Sequence, residues 1–178
     1  KKLFDKAKLI IAHGIDKNLK KNFWHRESSL AGHNYRLPNH LAALGFSQLN
    51  KLNLFNKKRR VIAKIYDKEL SIFDKFFTIQ KIPKNFTHSY QMYTVRVPQK
   101  YRNVFLDFMR KKSIEVSVHF DPPLHQQKYL KKYYKKKLPK TDILSKEIVT
   151  LPIFPDMTKK QVHYVIKNIK TFLSTLNL

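Results

Sequence analysis

Asn34 and Arg36 are the residues of this sequence best spaced to hold an anion. They stand two apart in the run Ala31-Gly32-His33-Asn34-Tyr35-Arg36-Leu37-Pro38-Asn39-His40-Leu41-Ala42-Ala43-Leu44-Gly45, just ahead of a strongly apolar helical stretch. A helix N-terminus offers unpaired backbone N–H groups and the positive end of the helix dipole. A carboxamide and a guanidinium beside it complete a phosphate or carboxylate site. The same residues also suit a plain loop, in which Asn34 bonds backbone and Arg36 caps a surface carboxylate; the local spacing leaves both readings open. Gly32 is expected to take positive φ in a sharp turn. Pro38 is expected in the first turn of the helix, with Asn39 as its N-cap.

His119 and His125 form a second candidate pair, flanking Pro122-Pro123 at the end of a predicted strand. A loop leaving a rigid strand is a usual place for substrate contacts. An imidazole near neutral pH donates to or accepts from a sugar or phosphate oxygen. Two ordinary surface histidines are the competing reading. Metal binding is not expected, because Asp121 is the nearest carboxylate and the ligand set is incomplete. The sequence has no Cys and no Gly-x-Ser-x-Gly, and only Gly14, Gly32 and Gly45. That leaves no glycine-rich phosphate loop and no nucleophile constellation. No catalytic residue is visible.

The elements that must position these residues read as mixed α/β. Residues 1–12 place Leu3, Phe4, Ala7, Ile10 and Ile11 on one helical face, ended by His13-Gly14. Residues 16–27 form a basic loop with the aromatic pair Phe23-Trp24, and Trp24 is expected to be covered. A helix follows from about 41 to 52, whose small residues Ala42, Ala43 and Gly45 would admit a close neighbour. A second helix spans about 54–70, with Phe55, Ile62 and Tyr66 on its stripe and Arg59 and Arg60 on its solvated side. Residues 73–82 are short, aromatic and β-branched. Residues 90–97 alternate as a half-buried strand, with Tyr93, Val95 and Val97 on one face. Tyr101, Val104, Phe105, Phe108 and Met109 mark an amphipathic helix over 100–112. Residues 114–120 alternate again, which predicts a strand–helix–strand unit. A Lys- and Tyr-rich helix with Tyr129, Tyr133 and Tyr134 is expected next, then a short helix over 141–149 and an extended 150–155. Thr158 and Gln161 give the last helix a capping-box signature.

A chain of 178 residues with 42% apolar content suits one domain, or one and part of another, and is not disordered. No apolar window is long enough to span a membrane. Without cysteine or a leader pattern the chain is expected to be cytoplasmic. The net charge of +25 commonly points to nucleic acid or an anionic surface. Lysine is spread from Lys1 to Lys170, densest at Lys131, Lys132, Lys135, Lys136 and Lys137, which more often reflects a solvated surface. The first residues, Lys-Lys-Leu-Phe, already sit inside a helical pattern, and the expectation is a fragment or a processed product.

Taken together the residues resemble a family. His13-Gly14-Ile15, Trp24, Gly32-His33-Asn34-Tyr35-Arg36-Leu37 and Ala42-Ala43-Leu44-Gly45-Phe46-Ser47-Gln48-Leu49 look like the DegT/StrS sugar-nucleotide aminotransferases. Residues 90–97, Val118-His119-Phe120 with Pro123-Leu124-His125, Leu151-Pro152-Ile153-Phe154-Pro155 and the 158–161 cap follow in the family's order. The resemblance implies the C-terminal part of a fold-type-I transferase dependent on pyridoxal 5′-phosphate (PLP). Residues 1–50 would be the end of the large domain and the start of the linking helices, and 51–178 a small α+β domain.

The resemblance further implies transfer of an amino group, usually from glutamate, to a keto-sugar carried on a nucleotide, by a homodimer. Asn34 matches the Asn that reaches across the dimer interface to the PLP phosphate of the partner subunit. Arg36 matches the neighbouring Arg, which orders that anion site or the substrate phosphates. His125 and His119 match the small-domain loop that closes over the sugar nucleotide. The family's Schiff-base lysine and the acid that pairs with the pyridine nitrogen have no match here, so this chain alone is expected to be inactive. Pro38-Asn39 departs from the family's more usual Thr/Ser-Asp helix start, and the Lys-rich stretch after His125 is more basic than the family needs. A basic nucleic-acid-binding protein and a non-catalytic small-domain remnant are the alternative readings.

Overall fold

The structure, a computed structural model, describes residues 1–19, 22, 24–133 and 137–176. Phe23, Tyr134, Lys135 and Lys136 of the expectations above lie outside the described residues. The chain divides into two compact units, Lys1–Lys51 and Leu52–Leu178.

In the first unit, helix α1 (Lys2–Ile10) follows the predicted spacing, yet it buries no residue there, and Leu3 is 85% exposed. Amphipathic spacing makes the helix but supplies no cover for it. The chain leaves α1 through two left-handed residues, His13 (φ 61) and Gly14 (φ 71). The Gly14 N–H donates to the Leu9 carbonyl at 2.7 Å, closing the last turn. Gly32 does not take the left-handed turn expected of it. Its need is space: a Cβ there would overlap the backbone of Gly14 and His13, just as one on Gly14 would overlap the Leu30 carbonyl. The two glycines let two backbone segments pass at contact distance. Trp24 is 65% exposed rather than covered.

Helix α2 (Asn39–Leu70) begins in the first unit and ends in the second. The Ala42 N–H donates to the Pro38 carbonyl at 3.0 Å, so Pro38 precedes the helix instead of entering its first turn, and Asn39 is its first residue. The two predicted helices are one. Neither Pro nor Gly occurs between Gly45 and Leu70, so nothing in the backbone breaks the ladder. Gly45 has open space where a side chain would project, so the small residues admit no close neighbour there. Arg59, expected to be solvated, donates to the Asn56 side chain at 2.7 Å and the Ser89 carbonyl at 3.2 Å.

The second unit is built on a three-stranded antiparallel sheet in the order β1 (Thr78–Ile79), β2 (Tyr93–Arg96), β3 (Ile148–Leu151). Tyr93 pairs with Leu151, Thr94 with Thr150 and Val95 with Val149. Tyr93, Val95, Val149 and Leu151 join one buried core with Ile62, Ala63, Tyr66 and Leu70 of α2. Helix α3 (Gln99–Lys111) adds Phe105 and Met109, and α5 (Lys159–Thr175) adds Val162, Val165, Ile166, Ile169, Phe172 and Leu173. The rings of Phe105 and Phe172 meet edge to face at 5.2 Å. Val104, placed on the α3 stripe by its spacing, is exposed instead. Helix α4 (Pro139–Glu147) opens with Pro at its start, where a missing N–H costs nothing. Both members of the α5 capping box are formed.

Three expectations about the elements of the second unit also change. Residues 114–120 make a single bridge, Ser117 to Thr150, beside β3 rather than a full strand. The sheet partner of β2 is β3, whose residues 148 and 149 the sequence pattern assigns to a helix. Residues 128–133 form turns rather than a helix. Lys128, Lys131 and Lys132 at i, i+3 and i+4 would stack like charges on one helical face. No helix among the described residues is long and apolar enough to cross a membrane.

Candidate functional site

Backbone pairing in the first unit dictates where Asn34 and Arg36 point. The N–H groups of His33 and Tyr35 donate to the Ile10 and Ile11 carbonyls at 2.7 and 3.1 Å, and the His13 N–H donates to the His33 carbonyl at 3.0 Å. The segment 33–36 is therefore extended against the end of α1, with Asn34 bridged to Ala12. Side chains alternate along an extended chain. His33 and Tyr35 take one side, their rings stacked at 4.7 Å, and Asn34 and Arg36 share the other. There the Arg36 Nε donates to the Asn34 Oδ1 at 3.3 Å.

That contact occupies the amide oxygen and leaves donors. The Asn34 Nδ2 and both terminal guanidinium nitrogens of Arg36 have no protein partner among the described residues. Arg36 makes no ion pair with a carboxylate among the described residues either, and both side chains are exposed. An adjacent amide and guanidinium suit phosphate oxygens in charge and in donor number.

The second unit brings His119 and His125 to one cleft. Its volume is about 620 Å³, and Phe120, Leu124, Leu130, Tyr133 and Leu144 make it largely apolar. His119 also lines a second cleft of about 890 Å³ with Gln91, Glu115, Lys160 and Tyr164. The loop from His119 to Gln127, which contains cis peptides at His119–Phe120 and Asp121–Pro122, is fastened at three points. Arg102 of α3 donates to the Asp121 carboxylate at 3.3 Å and to the Lys146 carbonyl at 3.2 Å. The Gln127 side chain donates to the Pro122 carbonyl at 2.8 Å. His125 Nε2 meets the Asp142 Oδ1 of α4 at 2.8 Å, and Gln126 donates to the same oxygen.

His119 is held from the sheet. Its Nδ1 lies 3.0 Å from the Thr150 Oγ1 and 3.3 Å from the Ser117 Oγ, and Thr150 lies 3.3 Å from the Thr94 Oγ1. Sequence reasoning missed Thr94, Thr150, Arg102 and Asp142. Each is distant in sequence from the histidine or loop it serves, and none carries a local motif. Among the described residues no three His, Cys, Asp or Glu side chains gather as a metal site.

The long helix α2 and the small helix-backed sheet with its histidine loop are parts of an α/β transferase fold. The chain belongs to the DegT/DnrJ/EryC1/StrS aminotransferase family, which matches it over residues 1–170. The family is one of PLP-dependent enzymes. The UDP-4-amino-4,6-dideoxy-N-acetyl-beta-L-altrosamine transaminase of Campylobacter jejuni is 33% identical over 92% of this chain and 43% of its own length. GDP-perosamine synthase of Escherichia coli O157:H7 is 29% identical over 98% of this chain and 45% of its own. Among solved structures, the Helicobacter pylori aminotransferase PseC superposes with a TM-score of 0.86 at 27% identity, over 98% of this chain and 47% of that one. The chain spans about half the length of the relatives it matches.

Proposed function

We propose that this chain is the C-terminal portion of an aminotransferase that moves an amino group, from glutamate, onto a keto-sugar carried by a nucleotide. The family match over residues 1–170 supports the reaction class. The observation that carries the site is the paired Asn34 and Arg36, joined to each other and otherwise open. The first unit is proposed to be the end of the large domain with the start of the linking helices, and the second the small domain. PLP, when bound, supplies the electron sink that amino transfer needs. The roles of this chain's own residues are to bind and orient. Asn34 Nδ2 and the Arg36 guanidinium are proposed to take phosphate oxygens of the cofactor held mainly by a partner subunit, Arg36 also serving the substrate phosphates. His119 and His125 are proposed to serve the sugar-nucleotide side, His119 through its ring Nε2 and His125 by tying the loop to Asp142.

The Schiff-base lysine is proposed to lie outside residues 1–178, which makes this chain alone inactive. One experiment with two arms tests the reading. The chain alone, treated with PLP and borohydride, should yield no stoichiometric adduct; a stoichiometric adduct overturns the assignment. In the dimer of a protein of the relatives' full length, Asn34→Ala should weaken PLP retention by about 10- to 100-fold, the loss of one hydrogen bond to a charged group. Each subunit should stay folded by circular dichroism. Unchanged retention would refute the role of Asn34.

A further inference from the structure

We propose that Arg102 is a positioning residue: its guanidinium fixes the gap between the histidine loop and α4, so the cleft they form stands ready before a ligand arrives. This role rests on the reading that the loop serves the sugar nucleotide, and it adds which side chain, itself no part of the cleft lining, gives the loop its place. Two walls make the cleft. One is the loop, through Phe120, Leu124 and His125, and the other is α4, through Thr141, Leu144 and Ser145. Phe120 and Leu124 are each 67% exposed and Leu144 is 40% exposed. Apolar walls free to move would close on one another to remove that surface from water. Something must hold them apart.

Arg102 is tied to both walls from α3. Its two terminal nitrogens donate to the Asp121 Oδ2 of the loop, each at 3.3 Å, and its Nε donates to the Lys146 carbonyl at 3.2 Å. Lys146 stands in the last turn of α4, where a carbonyl has no partner further along its own helix. One planar group thus meets acceptors from two segments, 19 and 44 residues away in the chain. Exposed ion pairs hold little, but the Arg102 side chain is 12% exposed, so water competes weakly for its donors. Asp142 fastens the other end. It lies in the first turn of α4, where it accepts from Gln126 and meets His125 Nε2. The second half of the loop is therefore held to α4 directly, and the first half through Arg102. A lysine would not serve, because one ammonium has no fixed spread of donors to reach both acceptors.

Amide hydrogen exchange in the full chain is the test. It is read at Gln126 and Gln127, whose N–H groups donate to the Pro123 and Leu124 carbonyls within the loop, and at Thr150, whose N–H donates to Ser117. Arg102→Met keeps an apolar stem and removes the donors. Asp121→Ala removes the loop's side of the tie at a side chain 47% exposed, where folding is not at stake. Both should speed exchange at Gln126 and Gln127 about ten-fold, the effect of one hydrogen bond to a charged group, and leave Thr150 unchanged. Asp121→Asn, which keeps an acceptor oxygen, should stay near wild type. Unchanged loop exchange overturns the inference, and so does equal acceleration at Thr150, the mark of a general prop of the fold. If Arg102→Met does not fold, Asp121→Ala decides. In a protein of the relatives' full length, with a UDP-linked keto-sugar as probe, the variants should raise KM about ten-fold and leave kcat within about two-fold, because a preformed loop binds ground and transition states alike. A fall in kcat at unchanged KM overturns the role as well. Absence of turnover in wild type would tell against the amino-transfer reading, and the exchange measurement, which needs no ligand, still decides the role of Arg102.

Discussion

Asn34, Arg36 and the two glycines show how far single residues carry the argument. Residue type marks Asn34 and Arg36 as candidate anion ligands, and period-two alternation puts them on one side of an extended segment, where they touch at 3.3 Å. For Gly32 the residue type was informative and the reason different. Positive φ belongs to Gly14 and to its neighbour His13, while Gly32 is confined by backbone contact with them. Gly32→Ala should therefore destabilise the first unit by about 1–3 kcal/mol, because the obstacle is backbone that cannot rotate away. Gly45→Ala, with open space around its Cβ, should gain up to about 1 kcal/mol from helix propensity. Urea unfolding of the two variants beside wild type checks both, and equal midpoints would contradict the packing account. Asp142 was not legible as the partner of His125. Seventeen residues separate them, and only the docking of α4 brings the carboxylate to 2.8 Å.

Helices α3 and α5 and the strand β2 read correctly from their local periods, and the strand β3 did not. Helix α3 announces itself through its apolar spacing, and α5 through its cap. Thr158→Ala removes the hydroxyl that accepts from the Gln161 N–H and should cost about 1 kcal/mol, within a range of about 0.5–2. Thermal unfolding followed at the helix band measures it, with Thr158→Ser as the variant that should behave like wild type. By contrast, the alternation in 114–120 is that of a strand, yet only Ser117 finds a partner on β3. The four-residue β3 is too short to display a period, and its identity comes from its register with β2. The lysine-rich turns after His125 are the opposite case. Their apolar and aromatic spacing permits a helix, and charge repulsion along the same face works against it.

At the scale of the whole second unit, two buried phenols tie the core to the pH of the medium. The Tyr66 hydroxyl donates to the Pro152 carbonyl at 2.9 Å, and the Tyr93 hydroxyl donates to the Asp67 carboxylate at 2.7 Å. Burial pushes both phenols well above the usual tyrosine value, and for Tyr93 the Asp67 hydrogen bond and charge push further in the same direction. A raised folded-state value means the native state keeps a proton that the unfolded chain releases. The contribution is thus complete below about pH 10, the unfolded value, and is lost as pH rises from there toward the folded one. Lysines lose charge over the same range and relieve repulsion in a chain of net charge +25, so the phenol effect is isolated by comparison. Tyr93→Phe should cost about 1–3 kcal/mol at neutral pH and lose less stability than wild type above pH 10. Parallel slopes of unfolding free energy against pH would refute this. What the sequence determined by itself was composition, the helices whose apolar residues recur at helical spacing, the cap of α5, the residue types at the anion pair, and the family, because each of these is a property of neighbours in the chain. What only the tertiary structure decided was the register of β2 on β3, the row of hydroxyls behind His119, the carboxylate facing His125 and the reason Gly32 must be glycine. Those depend on contacts between distant segments, whose partners no local pattern names. The proposed anion pair lies between the two cases: its residue types are legible in the sequence, and their meeting follows only from the hydrogen bonds that turn Asn34 and Arg36 to the same side.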